Sequence, residues 1–476
     1  MSMSNALYNA LSGLGAVSRS AQAVSSNVAN ALTEGYGRRE VVLGSDRLGG
    51  VRVLGVTRIV NAAVLADRRI ADADAGAART PAGFLSRLQN LIGAADSPSS
   101  LPGRLATFEG RLIEAASRPD SVARLQSAAE GAADLASALN AAGQGVQDQR
   151  LAADRSIATQ VGQLNDALAE IARLNTSITR VQSNSTEANA LMDQRQVLID
   201  SISAMVPLRE LPRARGAVAL VTTGGQILLD GRAAEIGFTA SNAITAGMTL
   251  GGGHLSGLTV SGRPVDMSAS GRMGGGSLAA AFGIRDDLGP EAQSQLDALA
   301  ADLIERFQDP AVDPTLGSGD PGLLTDAGAV LVPPAAPGLA QRLSLNAAVD
   351  PANGEVWRLR DGLYASAEGP PGNAATLQAL SDALEIPRPS PFGGSDRSAA
   401  GLFSELLSMV GSREFRAQQQ QTFAETRAAT LRERELAGGV DSDQEMQKLL
   451  LVEQSYAANA KVIQAVDDML RRLMEI

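Results

Sequence analysis

The chain has 476 residues, enough for several packed cores, and a formal net charge of −11, which argues against nucleic acid, whose phosphates would repel it. It has no cysteine, so disulfides and thiol chemistry are excluded, and one histidine with 3% aromatic residues leaves little for catalysis. No apolar run approaches the roughly 18 residues that a membrane span needs, and the N-terminus, whose first cation is Arg19, lacks the basic start and continuous apolar core of a cleaved secretory signal.

Residues 5 to 31 carry a heptad repeat, with Leu7, Leu14, Ala21 and Val28 at position a and Ala10, Val17, Val24 and Ala31 at position d. This predicts a helix with a narrow apolar seam. The helix runs into Ser26 to Arg38, where Gly35 and Gly37 flank Tyr36 and free the backbone for a turn. Asn27, Asn30 and Thr33 can hydrogen-bond neighbouring backbone, which suits a joint between two rigid parts. Residues 41 to 60 alternate loosely with glycines and read as short strands or an extended arm.

Helical spacing then dominates. From Ile157, the residues Val161, Leu164, Leu168, Ile171, Leu174, Ile178 and Val181 step by three and four, the signature of a long bundle helix. The next helix contains Asp193, Gln194 and Arg195, which on their own read as a solvated face. From Gly216 the runs Val218–Val221, Gln226–Leu229 and Leu258–Val260, bounded by Gly, Asp and Asn, predict a small inserted β domain over 216–270 whose loss would leave the helical remainder folded. Inside it, Gly251–Gly253 before His254 reads as a turn: a single His makes no zinc site, and no Lys-Ser or Lys-Thr follows to make a phosphate loop.

Residues 274–307 return to helix, with Pro290 near a helix start. Residues 309–371 are Pro- and Gly-rich and expected to be irregular; Trp357 is either a core anchor or an exposed contact. Helices follow at 373–385 and 396–437, broken by Gly438–Gly439. The last stretch, Asp441 to Ile476, repeats the opening pattern, with Leu449, Tyr456, Ile463 and Leu470 at a and Val452, Val466 and Leu473 at d; only Asn459 breaks it. A seam of this width, about two residues in seven, needs a partner, and the first helix supplies one.

The expected fold is therefore mainly α with a β insertion. Residues 1–40 and 441–476 form an antiparallel terminal coiled coil. Residues 41–215, 271–308 and 372–440 form a helical bundle carrying the β insertion, and 309–371 is of uncertain fold. The assembly interface is expected at Leu7, Leu14, Val17, Val24, Val28, Leu449, Val452, Tyr456, Ile463, Val466, Leu470 and Leu473. No cofactor or metal site is expected. A zinc protease would need a His-Glu-x-x-His pair, impossible with one His; a peptidoglycan hydrolase would need a carboxylate pair, an alternative the sequence leaves open.

The string Asn27, Val28, Ala29, Asn30, then Thr33, Gly35, Tyr36 and Arg38, resembles the N-terminal signature of the bacterial flagellar rod, hook and hook-associated axial proteins. The tail from Asp443 through Glu453 to Ile463 is similar to the C-terminal helix of the same group. Asp193-Gln194-Arg195 resembles a segment characteristic of the hook-associated protein 1 (FlgK) family, the hook–filament junction group, and the long helical middle separates this chain from shorter rod proteins and β-rich hook proteins. The resemblance implies a structural, non-enzymatic role: a ring of this chain at the hook tip joining hook to filament. It implies contacts with hook protein and with the next hook-associated protein, an export chaperone on the C-terminal helix, and an extracellular location in the flagellum reached through the type III export apparatus. A distal rod or hook subunit of the same axial family is the alternative.

Overall fold

The computed structural model describes residues 3–474 except Leu48, Ala95 and Ser183; the outermost residues of the expected terminal domain, 1, 2, 475 and 476, lie outside that range. In chain order, helix α1 (Met3–Ala29) leads into a hairpin of β1 (Arg38–Ser45) and β2 (Val51–Ile59). Four helices follow: α2 (Ala62–Ile92), α3 (Leu101–Ser117), α4 (Val122–Arg180) and α5 (Thr186–Ser203). Strands β3 (Leu208–Pro212), β4 (Val218–Thr222), β5 (Ile227–Asp230) and β6 (Arg232–Ala233) form one antiparallel sheet in sequence order. Strands β7 (Ile236–Gly237), β8 (Thr259–Val260) and β9 (Arg263–Pro264) form another. Helices α6 (Gly276–Gly283) and α7 (Gly289–Phe307) are joined by a π-helical turn at Ile284–Leu288. Then come β10 (Leu324–Asp326), β11 (Leu343–Leu345), α8 (Arg358–Asp361), α9 (Ala375–Glu385), α10 (Ala399–Ala437) and α11 (Ser442–Met474).

Several helix starts are fixed by caps that the sequence supplies. The side chains of Asn61, Ser100, Ser185 and Ser398 accept the otherwise unpaired N–H groups of Val64, Gly103, Ala188 and Gly401. Helix α4, with 59 residues, is about 88 Å long and serves two cores. Its first half contributes Leu125, Leu135, Leu139 and Val146 to a core shared with α2, α3, α7, α9 and the first half of α10. Its second half contributes Ile157, Leu164, Leu168 and Ile171 to a core shared with α5, α6 and both small sheets.

That second core corrects two expectations. The insertion begins at β3, eight residues before Gly216, because Leu208–Pro212 pairs with β4. Nor is it a separable module: Val218, Leu220, Leu228 and Leu229 are buried in one cluster with Ile157 to Ile171 of α4, so the sheet is the lid of a helical layer. The loop before β8 is tied down as well. The fully buried Arg150 guanidinium donates to the carbonyls of Thr245 (3.2 Å), Met248 (2.6 Å) and Arg285 (2.8 Å), while Arg285 pairs with buried Asp154 at 2.8 Å. The Gly251–His254 run is a turn on that loop.

Residues 309–371 are irregular in backbone but packed. Val312, Leu316, Leu323, Leu324, Leu331, Leu339 and Leu343 all enter the first core, and Asp297 fixes the approach by accepting the N–H groups of Gly338 and Ala340. Trp357 is only half-buried and stacks on Arg358, 4.7 Å from the guanidinium carbon to the ring centre; Leu359 beside it is the buried anchor. The 41–60 segment, expected as short strands or an extended arm, is the β1–β2 hairpin, and it packs along α1 as well as on the helical body. Because the sheet and α4 share apolar contacts, Leu229→Ala is expected to cost about 2 to 5 kcal/mol. In urea titrations the far-ultraviolet helical signal should fall with the β region in one transition; an unchanged helical midpoint would separate the two layers.

Candidate functional site

The two terminal helices run antiparallel, with Gly13 beside Asn459 and Asn27 bonded to Glu445. Of the seam residues, Ala10, Val24 and Val466 are buried, and Leu7, Leu14, Val17, Leu449, Val452 and Ile463 are half-buried. Val28, Tyr456, Leu470 and Leu473 remain exposed. Asn459, the break in the repeat, is accommodated by glycine: a Cβ at Gly13 would sit 2.9 Å from its side-chain oxygen. Helix α1 also buries Ala16 and Ala23, which lie off the seam. They fall on the line from Ser12, whose hydroxyl accepts the Val51 N–H (3.2 Å), to Asn27, so the hairpin covers a second face of α1.

Where α1 ends, the signature residues assemble a polar joint. The buried Asn27 side chain uses all four of its hydrogen-bonding positions. Its Nδ2 donates to the Arg39 carbonyl (3.0 Å) and to Glu445 Oε2 (2.8 Å), and its Oδ1 accepts from the Arg39 N–H (2.7 Å) and the Tyr36 hydroxyl (2.9 Å). One amide thus ties α1 to β1 and α11. Arg39 also stacks over the Tyr36 ring at 4.8 Å, and burial raises the Tyr36 hydroxyl pKa.

Asp193, at the centre of the joint, projects from α5. Its Oδ1 accepts from the Gly37 N–H (3.0 Å) and from Arg58 Nε (2.6 Å), and its Oδ2 pairs with Arg39 Nη2. Arg39 and Arg58 face each other across the hairpin, an arrangement that repels unless an anion lies between them. Asp193 is that anion. Arg58 continues the chain of contacts to the Gly35 carbonyl (3.0 Å) and to Gln196, whose amide donates to Glu435 on α10 at 3.2 Å. The two glycines around Tyr36 are required by proximity. A Cβ at Gly35, which has φ +74°, would lie 2.5 Å from Val197, and one at Gly37 would lie 2.5 Å from Arg58.

A second cluster backs the joint. Arg68 and Arg69 on α2 meet Asp72, Asp200, Glu210 and Glu435 from α2, α5, β3 and α10, with Arg68–Asp72, Arg69–Asp200 and Arg69–Glu210 all at 2.7 Å. Burial pushes the Glu435 carboxyl pKa up, with Asp200 adding to the rise and Arg68 opposing it. Arg195 turns away from the joint: its guanidinium donates to Asn175 on α4 and to the Gly216 carbonyl, both at 2.8 Å, tying the sheet to the helices, and burial lowers its pKa.

The remaining signature residues are peripheral. Ala29 and Gln194 are exposed, Thr33 donates to Asn30 (3.3 Å), Asn30 donates to the Ser26 carbonyl (2.9 Å), and Arg38 lies 3.7 Å from Glu445. Arg39, Arg58, Gln196, Glu435 and the Arg68–Arg69 pair were not singled out from sequence. The register that sets Arg39 opposite Arg58 is a property of the folded hairpin and left no local sequence signal.

Comparison with known proteins agrees with this architecture. A family model for the flagellar hook-associated protein FlgK helical domain matches residues 85–311, a range that includes the β region, and one for the flagellar basal body rod FlgEFG protein C-terminal region matches 437–476. Between them they cover more than half of the chain. Flagellar hook-associated protein 1 of Salmonella typhimurium is 29% identical over 244 residues, spanning 49% of this chain and 44% of that protein; thus less than half of that relative's length is matched. The Bacillus subtilis protein of the same name is 22% identical over 509 residues, covering 98% of this chain and 97% of its own. The flagellar hook junction protein FlgK structure from Burkholderia pseudomallei matches 55% of this chain and 47% of its own, at 20% identity and a TM-score of 0.46. Both matched models describe flagellar axial proteins. Within that class, the chain is similar to the hook-associated protein 1 (FlgK) family, whose helical-domain model its residues 85–311 match.

Asp193→Asn removes the charge that two opposed arginines share, so a loss of about 3 to 5 kcal/mol is expected in chemical denaturation. Glu435→Gln should cost under about 1 kcal/mol, because Arg68 keeps Asp72 and Asp200 and the ionised form of Glu435 is already disfavoured. Equal losses from the two changes would show that Asp193 holds no special place.

Proposed function

We propose that this chain is a structural component of the bacterial flagellum, a hook–filament junction protein that assembles as a ring at the hook tip and joins hook to filament. The carrying observation is the joint: Asn27, Tyr36 and Asp193 lock the terminal helix pair to the body at one defined angle, as a subunit of a stacked tube requires. Support also comes from the apolar surface left on that pair. Tyr8, Leu11, Leu450, Leu451, Tyr456, Val462, Met469, Leu470, Leu473 and Met474 are exposed along α1 and α11, the kind of apolar surface that marks an interaction site. Neighbouring copies cover it in the ring, hook protein lies below and the next hook-associated protein above. The role is structural, with no reaction assigned. Export through the flagellar type III apparatus and an export chaperone on α11 complete the reading.

The match of residues 437–476 to a rod-type C-terminal model keeps a distal rod or hook subunit as the second reading. Imaging a labelled chain at the hook tip or at the hook base separates the two. Val466, 4% exposed, is the most enclosed seam residue of α11. Val466→Asp should abolish filament attachment and motility while the isolated protein keeps the melting of its central cores, since a charge buried in a seam costs several kcal/mol. Lys461→Ala, on the exposed side, should swim normally. Normal filaments on Val466→Asp cells would remove the seam from the assembly.

A further inference from the structure

Beside the joint lies a cavity of about 150 Å³ walled by β2, α2, α5 and β3, with room for more than one water-sized group. Three of its lining side chains are guanidinium groups: Arg58 from β2, Arg69 from α2 and Arg195 from α5. Arg69 and Arg195 are buried, and the Arg58 side chain is only 11% exposed. Among the described residues, Glu210 is the one carboxylate on the wall, and it is already paired with Arg69 at 2.7 Å. Arg58 shares its carboxylate, Asp193, with Arg39. Arg195 hydrogen-bonds only neutral acceptors, Asn175 and the Gly216 carbonyl. Burial lowers its pKa, Glu210 opposes the fall, and the nearby charges of Arg58 and Arg69 add to it. Arg69 Nη2 is buried without any hydrogen-bond partner, although Nε and Nη1 of the same group are paired with Asp200 and Glu210.

We propose that this cavity is a binding site for a small tetrahedral oxyanion of the phosphate or sulfate class, held by Arg58, Arg69 and Arg195. The wall carries three positive charges against one committed carboxylate, and a buried cation without a counter-charge is costly unless an anion enters. Guanidinium forks match oxyanions in geometry, and donors arriving from three separate elements suit a ligand with oxygens on several sides better than a planar carboxylate. The apolar remainder of the wall, including Leu65, Ile199 and Leu208, strengthens such contacts by excluding water. A bound anion would bridge the hairpin, α2 and α5, so the joint would tighten on binding. The site belongs to the isolated chain and does not depend on the junction reading.

Calorimetric titration of the full-length chain with inorganic phosphate, at ionic strength held constant with sodium chloride, tests the site. One saturable site per chain is expected, with sulfate competing for it, and phosphate should raise the melting temperature as a ligand of the folded state does. Arg195→Gln should weaken binding roughly tenfold or more, the loss that goes with a hydrogen bond to a charged group. Ala66→Glu is the variant that keeps the fold, because Ala66 lines the cavity from an exposed position on α2, three residues before Arg69. Its tethered carboxylate should fill the site, abolishing phosphate binding, with the far-ultraviolet circular dichroism unchanged and the melting temperature in chloride raised. A native chain with no saturable phosphate binding overturns the proposal, as does equal binding by the native chain and Ala66→Glu. Acetate binding as tightly as phosphate would overturn the choice of a tetrahedral anion.

Discussion

One carboxylate between two opposed guanidinium groups governs how the parts of this molecule meet. Arg39 and Arg58 are cross-strand partners, and without Asp193 their repulsion would spread the base of the hairpin. With it, β1, β2 and α5 share a single charge-assisted centre from which contacts run outward to Asn27 and Glu445 on one side and to Gln196 and Glu435 on the other. The terminal helices, the hairpin and the helical body are thus fixed by polar geometry, which specifies direction, where an apolar patch would permit sliding. Asn27 contributes the same kind of definition, with every donor and acceptor of its amide engaged.

The joint also explains why the exposed apolar surface of α1 and α11 is usable. A helix pair on a loose tether would present that surface at many angles and associate without order. Held by Asp193 and Asn27, and splinted along α1 by the hairpin, it is presented at one angle, and the cost of ordering it falls within the subunit before contact with a neighbour. The two cores lie on α4, and exposed apolar side chains line the terminal pair.

Much of this was readable from the sequence, and the reasons for the rest are physical. The long helix from Ile157 and the antiparallel terminal helices follow from three-and-four spacing, but of the expected seam only Ala10, Val24 and Val466 are buried, while Val28, Tyr456, Leu470 and Leu473 stay exposed. Asp193 reads as a solvated residue because a charged side chain on a helix normally is one; its pairing makes sense only once the hairpin register sets Arg39 opposite Arg58, a long-range fact. The boundary of the β region was placed late because Leu208–Pro212 ends in proline, which reads as a break, yet forms the edge strand where proline is tolerated. Residues 309–371 read as loose because Pro and Gly dominate their composition, while Leu316, Leu323, Leu331 and Leu339 lack the regular period that would reveal burial. Deep burial of Arg150 among carbonyl groups left no local sign at all.

The unbroken length of α4 gives the molecule a load path. Both cores are threaded on one covalent rod, in series, with the joint at α5 anchored where that rod ends. A pull or twist entering through the terminal helices crosses the Asp193 centre and passes into a single helix of about 88 Å, whose backbone hydrogen bonds lie along its axis. Neither core can slip past the other without breaking that helix, so the subunit behaves mechanically as one strut.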